Sequence, residues 1–468
     1  MTLTCQVVTA TGTSARPAAA LTAGWWYWRL RGRSGTTTGI PTSMVWQFRV
    51  GARNAAFDGS WGTVFDPNGD GFADALIGAS GASSNAGIAH FYAGSAAGLG
   101  TTPVNIASAG MNFGAAIASA GDIDGNGFGD AVVGAPGSSI VSYYLGAAAG
   151  LGVRAGGFTG TADMGRSVAA AGDVDGDGYG DVIAGSPSAA TNAGSASLGS
   201  GGMARATLTI ASPDGASGNF GYSVAGAGDL NCDGLSDFVI GSPGALSGLG
   251  RIHVFYGRAG GVASTPSLSI TGTDANGRLG ASVAIAGDVN GDGCSDLIAG
   301  APGTAGATGH VYLFFGAAGG LGTVPVAVPA GSITGPNFGS NVAWSGDVNN
   351  DGYSDVMIAQ MNPADGTGPA YSYRSNGVSL IQNWVFAIGG PGLGAGMCGL
   401  GSVNGDAFDD VLLGSYGSSA SAGLVYVAIG TGSSFMTTSF ASPDGAGSLF
   451  GISIAMAPTR WRWNFLGS

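Results

Sequence analysis

Residues 173–181 read Asp173-Val174-Asp175-Gly176-Asp177-Gly178-Tyr179-Gly180-Asp181, and the run Val182-Ile183-Ala184-Gly185-Ser186-Pro187 follows directly. Side-chain oxygens at the first, third and fifth positions of a tightly turning loop converge on one point. Gly178 at the sixth position supplies the sharp turn, the Tyr179 carbonyl at the seventh adds a donor, and Asp181 at the ninth closes the set. All the donors are hard oxygens, which suits calcium; zinc would want imidazole and thiolate groups. EF-hand and dockerin loops begin with the same six residues but require a carboxylate at the twelfth position. Here that position is Ala184, inside an apolar run, so the loop must lead into a buried strand.

The pattern recurs along the chain. Besides Asp173, Asp175, Asp177, Tyr179 and Asp181, complete donor sets stand at Asp66, Asn68, Asp70, Phe72 and Asp74; Asp122, Asp124, Asn126, Phe128 and Asp130; Asp229, Asn231, Asp233, Leu235 and Asp237; Asp288, Asn290, Asp292, Cys294 and Asp296; and Asp347, Asn349, Asp351, Tyr353 and Asp355, the seventh-position residue giving its carbonyl each time. Their twelfth positions are Ile77, Val133, Ile240, Ala299 and Ile358, none a carboxylate. A damaged copy starts at Ser402 and has Ala407 in place of the turn glycine; Asn404, Asp406 and Asp410 persist, and weak or absent binding is expected there. About six calcium ions per chain are expected.

The loops begin at residues 66, 122, 173, 229, 288, 347 and 402, a nearly regular period in the fifties. Such a period with short strands marks a propeller or solenoid. Each unit repeats one order. A strand near Phe-Gly (Phe113-Gly114, Phe220-Gly221, Phe338-Gly339) precedes the loop. The strand after it ends in Gly-Ala/Ser-Pro (Gly134-Ala135-Pro136, Gly241-Ser242-Pro243). An aromatic strand such as 252–257 or 311–316 and a last strand such as 208–210 or 268–270 complete the unit. Four strands per repeat make one blade.

Phe-Gly, then the acidic loop, then Gly-Ala-Pro resembles the FG-GAP repeat of the integrin α-subunit propeller and its bacterial relatives, over roughly Phe57 to Gly447. The resemblance implies an all-β, seven-bladed β-propeller of four-stranded blades, with the calcium-binding loop joining the first two strands of each blade. Residues 53–447 are assigned to it. Unit one departs by having Trp61-Gly62 for Phe-Gly and Gly78-Ala79-Ser80 for Gly-Ala-Pro. Residues 448–468 begin another unit at Leu449-Phe450-Gly451 that reaches no loop, and read as a truncated eighth repeat or as the strand closing a seven-bladed ring. Residues 1–52 differ in kind. Their aromatic strands around Trp25-Trp26-Tyr27-Trp28 and Trp46-Gln47-Phe48 look like part of a fibronectin-III or Ig-like sandwich, so the chain is expected to be a piece of a longer multidomain protein.

The chain has 468 residues, 92 of them glycine, and only 9% are charged, as expected for close-packed sheets joined by many turns. Every basic residue is arginine and every acidic one aspartate. Most of the 28 aspartates fall in the seven loops, so the net charge of -13 is largely loop charge and says little about partners. No basic patch supports nucleic-acid binding. No stretch approaches the roughly 20 apolar residues of a membrane span, and the N-terminus lacks signal-peptide character.

Cys5, Cys232, Cys294 and Cys398 allow three full pairings; a Cys232–Cys294 bridge between successive loops is one option and small buried thiols the plainer one. His90, His253 and His310 fall on third strands of different blades, with nothing to bring them together into a catalytic site. No nucleophile elbow, phosphate loop or zinc spacing is present. The expectation is a non-catalytic, calcium-stabilised binding or adhesion propeller at the cell surface or outside the cell. It would be monomeric and would take a protein or glycan ligand on a propeller face, the alternative being a lectin-like or polysaccharide-lyase-type propeller.

Overall fold

The computed structural model describes the backbone of residues 24–28, 33–34, 37–38 and 46–50, and then residues 65–455 apart from 70–71, 96–97, 127, 203–206, 304–307, 334, 389, 402 and 404–407. The two N-terminal aromatic strands, Gly24–Trp28 and Trp46–Val50, pair antiparallel with Gly24 opposite Val50.

Seven four-stranded antiparallel sheets follow, and in six of them the strand order is the sequence order. Blade three is representative, running Ser167–Gly172, Asp181–Ser186, Ser195–Gly199 and Thr207–Ala211 from inside to outside. The residues explain the gradient. First strands are small (Ser-Val-Ala-Ala-Ala-Gly in blade three) because they converge on the ring axis. Second strands are buried from end to end, which accounts for runs such as Val182-Ile183-Ala184. Fourth strands alternate toward solvent, as Thr207–Ala211 does.

The core is seven slabs, each between neighbouring blades. One joins Phe65, Leu76 and Phe91 of blade one to Phe113, Val133 and Tyr144 of blade two. Another joins Leu412, Val425 and Val427 of blade seven to Ile77, Tyr92 and Phe450 of blade one. The ring is therefore closed. Its closing strand is Phe450–Ala455, which pairs with Ala75–Ala79 as the innermost strand of blade one. Residues 450–455 thus supply the closing strand, and the Phe-Gly of blade one is Phe450-Gly451; residues 456–468 and Trp61-Gly62 lie outside the described residues.

The signature residues sit where blades meet. The Phe113 N–H donates to the Ala86 carbonyl of the preceding blade (3.2 Å), Phe220 to Ala193 (3.0 Å) and Phe450 to Ala422 (3.0 Å). A Cβ on Gly185, the first residue of its Gly-Ser-Pro, would collide with the carbonyl oxygen of Gly221, the Phe-Gly glycine of the next blade. Gly134 meets Gly165, and Gly414 meets Gly451, in the same way. Two glycine backbones in contact let adjacent sheets approach closely.

Candidate metal-binding rim

Because strands alternate in direction, the acidic loops of blades two to seven, joining first and second strands, fall on one rim of the ring, and the blade-one loop, leading into its second strand from the same end, falls with them. The turns between second and third strands fall on the other. The loop of blade three shows how the sequence shapes it. Asp173 Oδ1 accepts the N–H groups of Gly176 (2.7 Å) and Asp177 (3.0 Å), and its Oδ2 accepts that of Gly178 (2.9 Å). Asp177 Oδ1 accepts the Tyr179 N–H (2.9 Å). These short-range bonds fold the loop back on itself and gather its carboxylates at the centre. One oxygen from each of Asp173, Asp175 and Asp177 lies within 4.8 Å of the others, and Asp122, Asp124 and Asp130 are gathered likewise. Equivalent bonds order the loops at Asp229 (Gly234 N–H, 2.8 Å), Asp288 (Gly293 N–H, 2.9 Å) and Asp347 (Gly352 N–H, 2.9 Å).

The ninth-position aspartate has a further job. Asp181 Oδ2 accepts the Val174 N–H (3.0 Å) and Oδ1 the Gly201 N–H (2.8 Å), so one carboxylate ties the start of the loop to the end of the third strand. Asp130, Asp237, Asp296 and Asp355 do the same, and so does Asp410 in the damaged copy, through Val403 (2.8 Å) and Gly430 (2.7 Å). Asp74 accepts from Gly94 (2.7 Å). Each oxygen keeps a second lone pair for another partner. Burial pushes Asp130, Asp181 and Asp237 up to about 7; their two backbone donors pull against this, and the neighbouring loop carboxylates push the same way as burial. Asp296 and Asp355 are likewise raised well above the ordinary carboxylate range, again through burial first. A divalent cation among these oxygens would relieve both the burial penalty and the mutual repulsion. The donor set fits a hard cation of calcium type.

Adjacent loops are also linked. The Asp173 carbonyl accepts the Ser236 N–H of the next loop (3.1 Å), Asp229 that of Ser295 (2.8 Å) and Asp288 that of Ser354 (3.0 Å). Cys232 and Cys294 form a disulfide across the joint of blades four and five, with Cα atoms 5.3 Å apart. The plainer expectation of small buried thiols fails for this pair, since Cys232 is exposed. The fourth position of one loop and the seventh of the next, 62 residues apart here, become neighbours only once adjacent blades pack side by side, a signal that period alone leaves open. Cys398 is a free thiol, which burial makes hard to ionise. Asp70, Asn404 and Asp406 lie outside the described residues, as does Cys5.

The histidines stay apart, as expected, but two of them have partners that sequence reading missed. His253 Nε2 lies 2.8 Å from Asp214 Oδ2 and its Nδ1 lies 2.8 Å from Ser269 Oγ; Arg251 donates to Asp214 Oδ1 (3.0 Å). His90 meets Asp444 and Asn105 in the same way. Asp214 and Asp444 both sit in Ser-Pro-Asp-Gly linkers entering the next blade, and that shared tetrapeptide was the available signal. The order Ser269, His253, Asp214 has the residue types of a hydrolase relay. Because blade one carries Asn105 in the serine's place, the arrangement is a feature of blade joints. His310, exposed, lies beside Tyr312, whose hydroxyl donates to Asp274 (3.1 Å).

The FG-GAP repeat model matches residues 164–198, 220–255 and 279–314. Integrin alpha-V of Gallus gallus is 32% identical over 232 residues, 47% of this chain and 22% of that protein. Integrin alpha-5 of Xenopus laevis is 38% identical over 152 residues, 30% of this chain and 14% of its own. The chain thus spans less than a quarter of the length of these curated relatives. A Bacteroides uniformis structure assigned provisionally as a 6-phosphogluconolactonase superposes with a TM-score of 0.53 over 82% of this chain at 14% identity, a likeness of fold alone. Among the described residues, no helix is long and apolar enough to cross a membrane. Taken together, the chain is a seven-bladed propeller that carries FG-GAP repeats at three matched segments and is similar over part of its length to integrin α subunits.

Proposed function

We propose that this propeller is a non-catalytic binding module that works outside the cell and is stabilised by calcium in its loops. The observation that carries the reading is the gathering of three carboxylates on one point within single loops, at Asp122, Asp124 and Asp130 and at Asp173, Asp175 and Asp177. The other complete donor sets, Asp66 to Asp74, Asp229 to Asp237, Asp288 to Asp296 and Asp347 to Asp355, are the remaining candidate sites, giving about six ions. Asn404, Asp406 and Asp410 form at best a weak one. A bound ion here cross-links the ends of two strands and neutralises buried charge; it has no substrate to activate.

Two arguments support export. Loops without a bidentate glutamate belong with extracellular modules, whose dissociation constants run to about 10⁻⁴–10⁻³ M, so resting cytosolic calcium would leave them empty. The Cys232–Cys294 disulfide suits an oxidising compartment. The partner is taken to be a protein or glycan held on a propeller face, and residues 1–52 to be the edge of an adjoining sandwich-like module. Calorimetric titration of the calcium-free chain, followed by screening of immobilised glycans and surface proteins with calcium and with chelator, tests this. Absence of calcium uptake would remove the metal reading, and chelator-insensitive hydrolysis of a glycan would remove the non-catalytic one.

A further inference from the structure

Around the loop rim, the fourth position of one loop faces the seventh position of the next. The Tyr179 ring covers Gly125 so closely that a Cβ there would lie 2.6 Å from Tyr179 Cε1. Leu235 covers Gly176 in the same register, its Cδ2 3.3 Å from such a Cβ. At the joint between blades four and five both positions are cysteine, and the packing contact has become a covalent bond. Cys232 holds a left-handed backbone (φ 57) at a position where the loops of blades one, two, three and five use Gly69, Gly125, Gly176 and Gly291. An L-residue is disfavoured in that conformation, so the tether holds a turn that the side chain opposes.

Both cysteines lie inside the donor sets. Cys232 is flanked by Asn231 and by Asp233, whose N–H donates to Asp229 Oδ1 (3.0 Å) and Asn231 Oδ1 (3.1 Å). The Cys294 N–H donates to Asp292 Oδ1 (2.9 Å), and its carbonyl is the seventh-position donor of its own loop. Each half of the bridge thus orients oxygens of a different loop.

We propose that the Cys232–Cys294 disulfide couples the cation loops of blades four and five, and that its reduction weakens calcium binding at these two loops and at no others. This rests on the calcium reading above. The chemistry is thiol–disulfide exchange with a dithiol reductant. Cys232 is exposed and Cys294 buried, so the incoming thiolate attacks the sulfur of Cys232. The S–S bond breaks, Cys294 leaves as a thiolate and takes up a proton. The second thiol of the reductant then resolves the mixed disulfide, frees Cys232 and departs as a disulfide. Two electrons and two protons pass to the protein.

The test compares calcium titrations of the intact chain before and after treatment with dithiothreitol, with amide hydrogen exchange of residues 229–237 and 288–296 as a second readout. Supporting residues around a metal site are typically worth about 10–100-fold in affinity, so two sites should weaken about tenfold or more on reduction while the rest are unchanged. Exchange should accelerate in those two loops alone. C232S/C294S should match the reduced protein. C232G/C294Y, which rebuilds the glycine–tyrosine contact seen between blades two and three, should bind tightly and ignore the reductant. Equal affinities and exchange rates in the oxidised and reduced chains overturn the coupling. An oxidised chain that takes up no calcium overturns the calcium reading itself, a result that the first comparison cannot mimic.

Discussion

His90 Nε2 lies 2.6 Å from Asp444 Oδ2, although 354 residues separate them. Asp444 belongs to the linker leaving blade seven and His90 to the third strand of blade one, and Phe450 packs edge-on against the same imidazole (5.6 Å between centroids). The contact latches the closed ring beside the strand Phe450–Ala455. Asp444→Asn should cost about 1.5–3 kcal/mol, the usual worth of a hydrogen bond to a charged group, in urea unfolding. Ending the chain before Leu449 should do more, because it strips blade one of its inner strand and one core slab of Phe450 and Ile454. Dye binding to exposed apolar surface, together with a broadened melt, would register it; an unchanged melt would contradict the closure.

The matching pair in blade four carries a pH signature. Burial opposes the charge on Asp214, yet hydrogen bonds from His253 and Ser242, the charge on His253 and a hydrogen bond from Arg251 outweigh it and hold the carboxyl at about 2. A carboxylate depressed in the folded state contributes stability that is fully present above its unfolded value near 4 and is lost as pH falls through about 2. The gap in unfolding free energy between wild type and Asp214→Asn should therefore shrink steadily as pH falls from about 4 toward 2. A gap that widens over that interval would refute the assignment.

The repeat period, the loop hairpins and the blade count were legible because each rests on local spacing. The Asp-to-Asp register builds one hairpin, and four apolar runs per unit build one sheet. Less visible was everything made between units. Asp214 and Asp444 stand in Ser-Pro-Asp-Gly turns with no histidine partner in local sequence, and only the blade geometry carries them to His253 and His90. The dual anchoring by Asp181, though made within one blade, was hidden because its second donor, Gly201, lies beyond the following strand. Cys232 and Cys294 could be suspected from matching loops but not paired, because pairing depends on the offset between neighbouring blades.

The blade joint gives a steric prediction. A methyl on Gly185 would strike the Gly221 carbonyl, which cannot retreat without separating two sheets, and the Ser167 hydroxyl, which would have to rotate away from its bond to that carbonyl. Gly185→Ala should cost about 1–3 kcal/mol, as overpacking does. Gly215 has φ +75 but open space around it, so Gly215→Ala should cost only about 1 kcal/mol, from backbone strain. Reversal of that order in paired urea melts would mean that the glycine contact does not govern blade spacing.

Calcium provides the last prediction. If ions bind only the folded loops, each independent site adds RT ln(1 + [Ca]/Kd), about 2.7 kcal/mol when calcium stands a hundredfold above Kd. Chelation should lower the melting temperature and leave buried carboxylates such as Asp181 and Asp237 without a counter-charge. The size of a mutational effect should follow how complete the donor set is. Asp177 shares its point of convergence with Asp173 and Asp175, whereas Asp406 belongs to a copy that begins with Ser402 and has Ala407 in place of its turn glycine. Asp177→Ala should therefore lower the melt clearly in millimolar calcium and little in chelator, and Asp406→Ala should change it little in either. Equal losses for the two variants, or a loss for Asp177→Ala that chelator does not reduce, would mean that these loops stabilise the ring through their own hydrogen bonds and not through a bound ion.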